Sequence, residues 1–479
     1  MSDKKTTIVI GAGPAGLTCA YKLLEEGHCV EVFEASPYVG GLSRSFDLWG
    51  QKVDVGPHRF FSSDRIVNEH WQKIVGSDYT LVNRLTRIYY KNRFFYYPLQ
   101  PFNAFTNLGP IDVARCVASY VKQKFFPLSD PKTFEDWVVN RFGQRLFSIF
   151  FKTYSEKVWG ISCSRIDADW AAQRIKKLSL YEAIKSAFFK DKSKKHKTLV
   201  DQFAYPKNGT GTIYEKMEKS ILEWGGTVNK NTPIREVLID DQGRACGVKL
   251  ASGEEKKADF VVSTMPLTSM VRGLKGAPHS VKQACDELYF RNTILVYVEV
   301  DSDNVFPDNW IYIHSPEVQH GRITNFRNWC PSLYRDAKTS ILSLEFWCFE
   351  KDELWKKNDE ELGKLAIEEL EKIQILGSAK PLRTHVLKIP KSYPVYETGY
   401  MKPLSLIQDY VNSIPNLIAI GRFGAFKYNN QDHSILMGLL AAKEIMTGKN
   451  QNLWSINTDS DYQEQAYVED VLQPEASPV

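Results

Sequence analysis

"IVIGAGPAGL", Ile8–Leu17, decides the fold of this chain. Three β-branched residues run into Gly11, Gly13 and Gly16, and the amphipathic run "AGLTCAYKLLEEGH" follows before a second strand pattern, "CVEVFEA". The hydrophobic period changes from strand-like to helix-like and back, which predicts a strand, a glycine turn, a helix and a parallel strand. In such a unit the first glycine permits the tight turn, the second lets backbone amides approach a pyrophosphate, and the third brings helix against strand. Pro14 suits the first helical position, where no N–H is needed, and the N–H groups of Ala15 and Gly16 stay free at the positive end of the helix dipole. Glu34 stands at the end of the second strand, about 20 residues on, where a carboxylate accepts both ribose hydroxyls; Ala35 follows it. The unit reads as a dinucleotide site.

Composition narrows the remainder. A chain of 479 residues, 43% hydrophobic and 25% charged, buries a core too large for one layered unit, so two or three packed domains are expected. A formal charge of +4 is too mild for nucleic acid and suits an anionic small substrate. The eight cysteines form no C-x-x-C pair and no metal-type spacing with histidine, so reduced thiols in a cytoplasmic protein and no metal site are expected. No apolar run reaches the roughly 18 residues of a membrane span. The basic stretch from Ser186 to Val200, which opens on an aromatic pair, reads as a solvated loop, with contact to an anionic membrane as its alternative.

Farther along, "PIDVARCVASYVKQKF" and "ADWAAQRIKKLSLYEAIKSAFF" repeat apolar residues at three and four spacing, which predicts an inserted helical domain over 102–200. Strand patterns from Thr227 to Pro266, and again in "NTILVYVEVDS", "SILSLEFWCFE" and "RTHVLKI", predict a large mixed or antiparallel sheet beside the nucleotide unit. The expected division is a discontinuous nucleotide-binding domain (1–75, 203–272 and 410–450), the helical domain, a sheet domain (76–101 and 273–409) and a tail (451–479). The class is α/β.

A second glycine patch, "ASPYVGGLSRSF", adds the backbone amides of Gly40, Gly41 and Leu42 and the charge of Arg44 for the same pyrophosphate. A patch of this kind after the acidic residue resembles the FAD-binding amine oxidase and protoporphyrinogen oxidase superfamily. The resemblance implies a GR2-type, Rossmann-like FAD-binding domain. It also implies that "ADFVVSTMP" returns the chain past the adenine, that the backbone of Ile234 meets the adenine, and that "NLIAIGRFG" closes over the ribityl and pyrophosphate. FAD is the expected cofactor.

"GRFGAFKYNNQDHS", Gly421 to Ser434, is similar to the C-terminal signature of the eukaryotic-like branch of the UDP-galactopyranose mutases, with two residues fewer between the Tyr and the Asn-Gln-Asp-His. Four other segments resemble the same family. "FYYPLQPF" gives Tyr97 and Gln100 around base and ribose, and "YSEKVWGISCSRIDADWAAQR" gives Tyr154, Trp159 and Arg174. "NWIYIHSPEVQHGRITNF" gives Tyr312 and Arg322, and "KSYPVYETGY" gives Tyr393. The physical chemistry agrees: a nucleoside diphosphate carries two negative charges, which planar guanidinium forks such as Arg322 and Arg422 can neutralise from two sides. Hydroxyls of Tyr312, Tyr393 and Tyr428 add donors without charge, and their rings exclude water.

The resemblance implies a redox-neutral isomerisation between pyranose and furanose forms of a UDP-hexose in surface polysaccharide biosynthesis. In it the N5 atom of reduced flavin attacks the anomeric carbon and displaces UDP; NAD(P)H is a candidate reductant. Asn430, Gln431 and Ser434 are expected beside the flavin, and Asp432 with His433 form either an acid/base pair or a helix cap. His58 matches a mobile Gly-Gly-His turn of the mutases, but Pro57 replaces its second glycine and restricts that turn. Ser155 and Leu99 also stand where the family has Asn and Phe. The competing expectation is a FAD-dependent oxidoreductase acting on a sugar, an amine or a porphyrinogen-like compound. A single sequence leaves the oligomeric state open.

Overall fold

A computed structural model describes residues 4–170 and 202–457. Five parallel strands, in the order Leu417–Ala419, Phe260–Ser263, Thr6–Ile10, Cys29–Phe33 and Thr227–Asn229, form the first sheet. Ile8, Val9, Val261 and Val262 are sealed from solvent, as a sheet covered on both faces demands. Helices Pro14–Glu25, Thr212–Glu223 and Gln431–Thr447 supply much of that cover. The chain order of the strands reverses between Thr6–Ile10 and Phe260–Ser263, whose ends align in register, Ile10 opposite Ser263. Ligands of open parallel sheets bind in the crevice at such a reversal, beyond the carboxyl ends of the strands.

The second sheet has seven strands, in the order Pro381–Pro394, Phe290–Val300, Ser340–Cys348, Arg322–Asn325, Trp310–Ile313, Thr86–Tyr90 and Arg93–Tyr96. All of its pairings are antiparallel except that of Trp310–Ile313 with Thr86–Tyr90, so it is mixed, as the sequence predicts. Period-two alternation sends Ile294, Val296 and Val298 to one face, under the helix Asp359–Lys372, and Leu295 and Tyr297 to the other. That helix opens on a capping box between Asn358 and Glu361.

One sequence expectation is redistributed. The strand-like run from Thr227 to Pro266 does not join the large sheet: its ends belong to the parallel sheet, and Ile234–Ile239, Ala245–Leu250 and Glu255–Lys257 form a separate antiparallel sheet of three. Strand propensity marks the segment, whereas pairing partners are set by contacts far along the chain.

Helices Pro101–Leu108, Pro110–Phe125, Phe134–Phe142, Gln144–Phe150 and Lys152–Trp159 make up the helical part. Lys157 fastens it to the large sheet, its ammonium donating to the carbonyls of Ile313, Ser315 and His320 at 3.2, 2.7 and 3.0 Å. Most of the second predicted helical run, Arg174, and the basic stretch from Ser186 to Val200 lie outside the described residues. Among the described residues no helix is long and apolar enough to cross a membrane.

Candidate active site

The cofactor edge is built from backbone. A Cβ on Gly16 would lie 2.0 Å from the Gly11 carbonyl oxygen, so only glycine lets this helix start so close to its strand. The two glycine patches converge, since a Cβ on Gly41 would fall 3.3 Å from the Gly13 Cα, and the Gly40 amide donates to Ala12 O at 2.7 Å. Gly421 lies against Ala15 and Thr264, so the third glycine turn meets the same crevice from the far side. Leu42 sits in the short turn Gly41–Ser43, and the Arg44 guanidinium lies 5.0 Å from the Tyr38 ring.

Glu34 takes one backbone amide on each carboxylate oxygen, Ala12 N at 2.8 Å and Ser36 N at 2.9 Å. Each oxygen keeps a lone pair for a ribose hydroxyl. Thr232 N donates to Glu34 O at 2.9 Å, which ties the segment leading into the strand at Ile234 to the end of the second parallel strand. A bare-backbone cradle, a free helix N-terminus and a carboxylate with unused lone pairs fit FAD. Gly13, Ala15, Gly16 and Gly41 would hold its pyrophosphate and Glu34 its ribose.

The residues expected to meet a substrate form a wall of side chains gathered from widely separated segments. Tyr312 packs edge-on against both Tyr97 and Tyr154, each with ring centroids 5.3 Å away. Tyr154 stacks on His314 at 5.1 Å, and Tyr393 on Tyr428 at 5.4 Å. Trp159 touches Tyr393 and Tyr428 from below but is only 2% exposed, so it supports the wall rather than offering a free face. Gln100 is exposed at the head of the helix Pro101–Leu108. Burial raises the pKa values of the Tyr154 and Tyr393 phenols, which stay protonated donors at neutral pH.

Both expected arginines are here, with neighbours the sequence did not reveal. Arg322 is paired through its fork with the buried Glu345, Nε to Oε1 at 2.5 Å and Nη2 to Oε2 at 2.6 Å. It is therefore not a free double charge-partner for a diphosphate; the pair uses two of its five N–H groups and leaves those of Nη1 and the second of Nη2. Arg422 donates to Ser392 O and Asn429 O, both at 2.9 Å, with its guanidinium carbon 4.7 Å from the Tyr393 ring and 4.4 Å from the Tyr428 ring. Its position is fixed by aromatic faces and carbonyls, which hold a cation without neutralising it. Sequence reasoning missed Glu345, although a lone carboxylate inside the apolar strand "SILSLEFWC" signals a buried, paired charge.

His58 lies within reach of both arginines. Burial and then the nearby Arg422 and Arg322 charges hold its pKa down to about 4, with the Val55 hydrogen bond opposing them, so the ring is neutral. Its Nε2–H donates to Val55 O at 2.9 Å, folding the loop through Pro57 back on itself.

At the start of the helix Gln431–Thr447 the roles differ from those expected. Gln431 is turned inward: its Oε1 accepts from Tyr214 OH at 2.7 Å and Thr210 Oγ1 at 3.3 Å, and its Nε2 donates to Arg59 O at 3.4 Å. Its amide oxygen is thus taken by protein donors, while Nε2 keeps a second N–H. Asn430 occupies the N-cap, and its backbone N–H donates to His433 Nδ1 at 3.3 Å, so His433 turns back to close the helix while Asp432 and Ser434 are buried in the first turn.

The family model of flavin containing amine oxidoreductases matches residues 14–445. Coproporphyrinogen III oxidase of Staphylococcus aureus is 21% identical over 473 residues, 92% of this chain and 99% of that one. A probable UDP-galactopyranose mutase of Klebsiella pneumoniae is 28% identical over 177 residues, 35% of this chain and 44% of that one. Among solved structures, a reduced UDP-galactopyranose mutase superposes with a TM-score of 0.81 at 22% identity, covering 97% of this chain and 98% of that one. A putative protoporphyrinogen oxidase from Exiguobacterium superposes with 0.73 at 16% identity, covering 94% and 100%. The chain belongs to the flavin containing amine oxidoreductase family, and FAD is its cofactor.

Proposed function

We propose that this protein is a flavin-dependent nucleotide-sugar mutase that interconverts the pyranose and furanose forms of a UDP-hexose. The observation that carries the reading is the convergence of Tyr154, Tyr312, Tyr393, Tyr428, Arg322 and Arg422, from widely separated segments, on one wall beside His58. The fold shared with a mutase is in keeping with it.

FAD, when bound and reduced, would supply an electron-rich centre for chemistry at the anomeric carbon. The chain's own groups do the binding. Arg422, unneutralised and clamped between two rings, meets the diphosphate as the principal cation, and the N–H groups that Arg322 does not give to Glu345 add hydrogen bonds from the same wall. The neutral phenols of Tyr154 and Tyr393 donate to phosphate or sugar oxygens without adding charge. His58, whose Nε2–H is already committed to Val55, orders the loop and carries no charge of its own. No serine, cysteine or lysine nucleophile is required, because the reading assigns bond-breaking to the cofactor and positioning to the protein.

The second reading, a substrate-oxidising flavoenzyme, draws on the pinned Pro57 loop and on the full-length relation to a porphyrinogen-type oxidase. Titration of the FAD-loaded protein with UDP, followed by flavin absorbance, tests the site. Arg422→Ala is expected to weaken UDP roughly tenfold or more and Arg322→Ala by less, from the loss of one and part of one charge-assisted contact. Unchanged affinity in both variants removes the nucleotide-sugar assignment.

A further inference from the structure

The helix Pro110–Phe125 carries apolar residues on both its packed and its outward side. Val113, Cys116, Ser119, Tyr120 and Gln123 occupy its inner side, where Gly143 lets another backbone come close: a Cβ there would lie 2.8 Å from the Ser119 carbonyl carbon and the Tyr120 nitrogen. Val113, Cys116 and Tyr120 make the expected core-facing stripe at three and four spacing, and a second apolar stripe points outward. Ile111, Val117, Val121 and Phe125 form one exposed face at successive turns, with Ala114 and Ala118 between them. Phe125 is 77% exposed, Phe126 74% and Ile111 69%, and Phe102 on the adjoining helix is 80% exposed. Isolated surface apolar groups need no explanation, but a continuous outward stripe with adjacent phenylalanines marks a contact surface.

Charge identifies the partner. Between residues 101 and 128 the basic residues are Arg115, Lys122 and Lys124, all exposed at the margins of the stripe, and the single acid is Asp112. Asp112 is held by Arg145 at 2.6 Å, and the next acid, Asp130, lies in the following loop against Lys132 at 3.5 Å, so the free charge on these two helices is cationic. A second copy packed helix to helix would set these cations against one another, with no free acid on the helices to answer them. An apolar stripe with a cationic border matches a lipid surface that carries anionic headgroups. We propose that the outward face of Pro110–Phe125, with Phe102 and Phe126, seats the protein on an anionic lipid bilayer as a peripheral, reversible contact. This surface is separate from the cofactor crevice and independent of the proposed reaction.

The test is co-sedimentation of the full, FAD-loaded chain with vesicles of equal parts phosphatidylcholine and phosphatidylglycerol, and with vesicles of phosphatidylcholine alone. Partitioning onto the anionic vesicles is expected to be roughly a hundredfold stronger than onto the neutral ones, and to fall with added salt. Phe125→Ser with Phe126→Ser is expected to weaken it by a factor on the order of ten or more, and Lys122→Glu with Lys124→Glu to abolish the preference for anionic lipid. These side chains are exposed, so flavin content and thermal midpoint should stay at the parent values and report that the variants fold. Any of three results overturns the proposal: no binding to anionic vesicles at low ionic strength, equal binding in parent and both variants, or a concentration-dependent self-association that the serine variant removes without any vesicle binding.

Discussion

The cofactor edge and the wall of tyrosines and arginines proposed to take the substrate are made of different material. At the cofactor edge the working parts are backbone amides, glycines without a Cβ and one carboxylate, all within short segments after Ile10, Phe33 and Ser263. At the substrate wall they are large side chains carried by six or more segments, and each is fixed by a partner from somewhere else. The first kind of site is robust to what surrounds it and intolerant of added atoms. The second is the reverse: it accepts changes of size at its rim and fails when a partner is withdrawn.

The sharpest way to break that contrast is Glu345→Ala. It leaves the Arg322 charge largely buried and unpaired, which costs about 3–5 kcal/mol of stability. Urea denaturation of the variant checks the loss, and the double change Glu345→Leu with Arg322→Leu should recover most of it while leaving UDP affinity impaired. A loss below about 1 kcal/mol in the single variant would mean that the pair is solvated and the wall is not partner-dependent. On the cofactor side, Gly16→Ala is expected to cost about 1–3 kcal/mol by overpacking against Gly11 O, and to lower the flavin retained after gel filtration.

A pH effect separates the two regions further. His314, stacked behind Tyr154, is held neutral with a pKa pushed down to about 3 by burial and then by the Lys157 charge. The unfolded chain binds a proton at this residue below about 6.5 and the folded chain does not, so stability is full above that pH and is lost as pH falls towards 3. The expected slope is about 1.4 kcal/mol per pH unit in that window. His314→Phe keeps a ring against Tyr154 and should flatten the dependence by one proton, as read from thermal melts at several pH values. The smallest effect belongs to a single wall hydroxyl: Tyr393→Phe should weaken UDP by about 0.5–1.5 kcal/mol without changing flavin content.

These differences also explain what could be read from the chain itself. Gly11, Gly13, Gly16, Glu34 and Gly41 announce their arrangement because turn, close approach and dipole are local consequences of spacing. The tyrosines and arginines of the wall could be proposed as a set, but not their settings, since Arg322 pairs with Glu345 across neighbouring strands and Arg422 with Ser392 O across 30 residues. Gln431 shows the limit most plainly. It stands in the signature that suggested a flavin contact, yet Tyr214 and Thr210, more than 200 residues away, take its amide oxygen. The sheet assignment of Ile234–Ile239 and Ala245–Leu250 was hidden for the same reason, because strand character is local and pairing is not.

The account rests on the wall receiving a nucleotide sugar rather than an oxidisable substrate. The most direct measurement is to reduce the purified protein with dithionite under anaerobic conditions, supply UDP-galactopyranose and other UDP-hexoses, and resolve the products by chromatography. A nucleotide-sugar mutase yields a furanose product with the reduced protein and none with the oxidised one. The absence of any isomerisation, together with turnover of an amine, sugar or porphyrinogen by the oxidised protein with release of hydrogen peroxide, would contradict it.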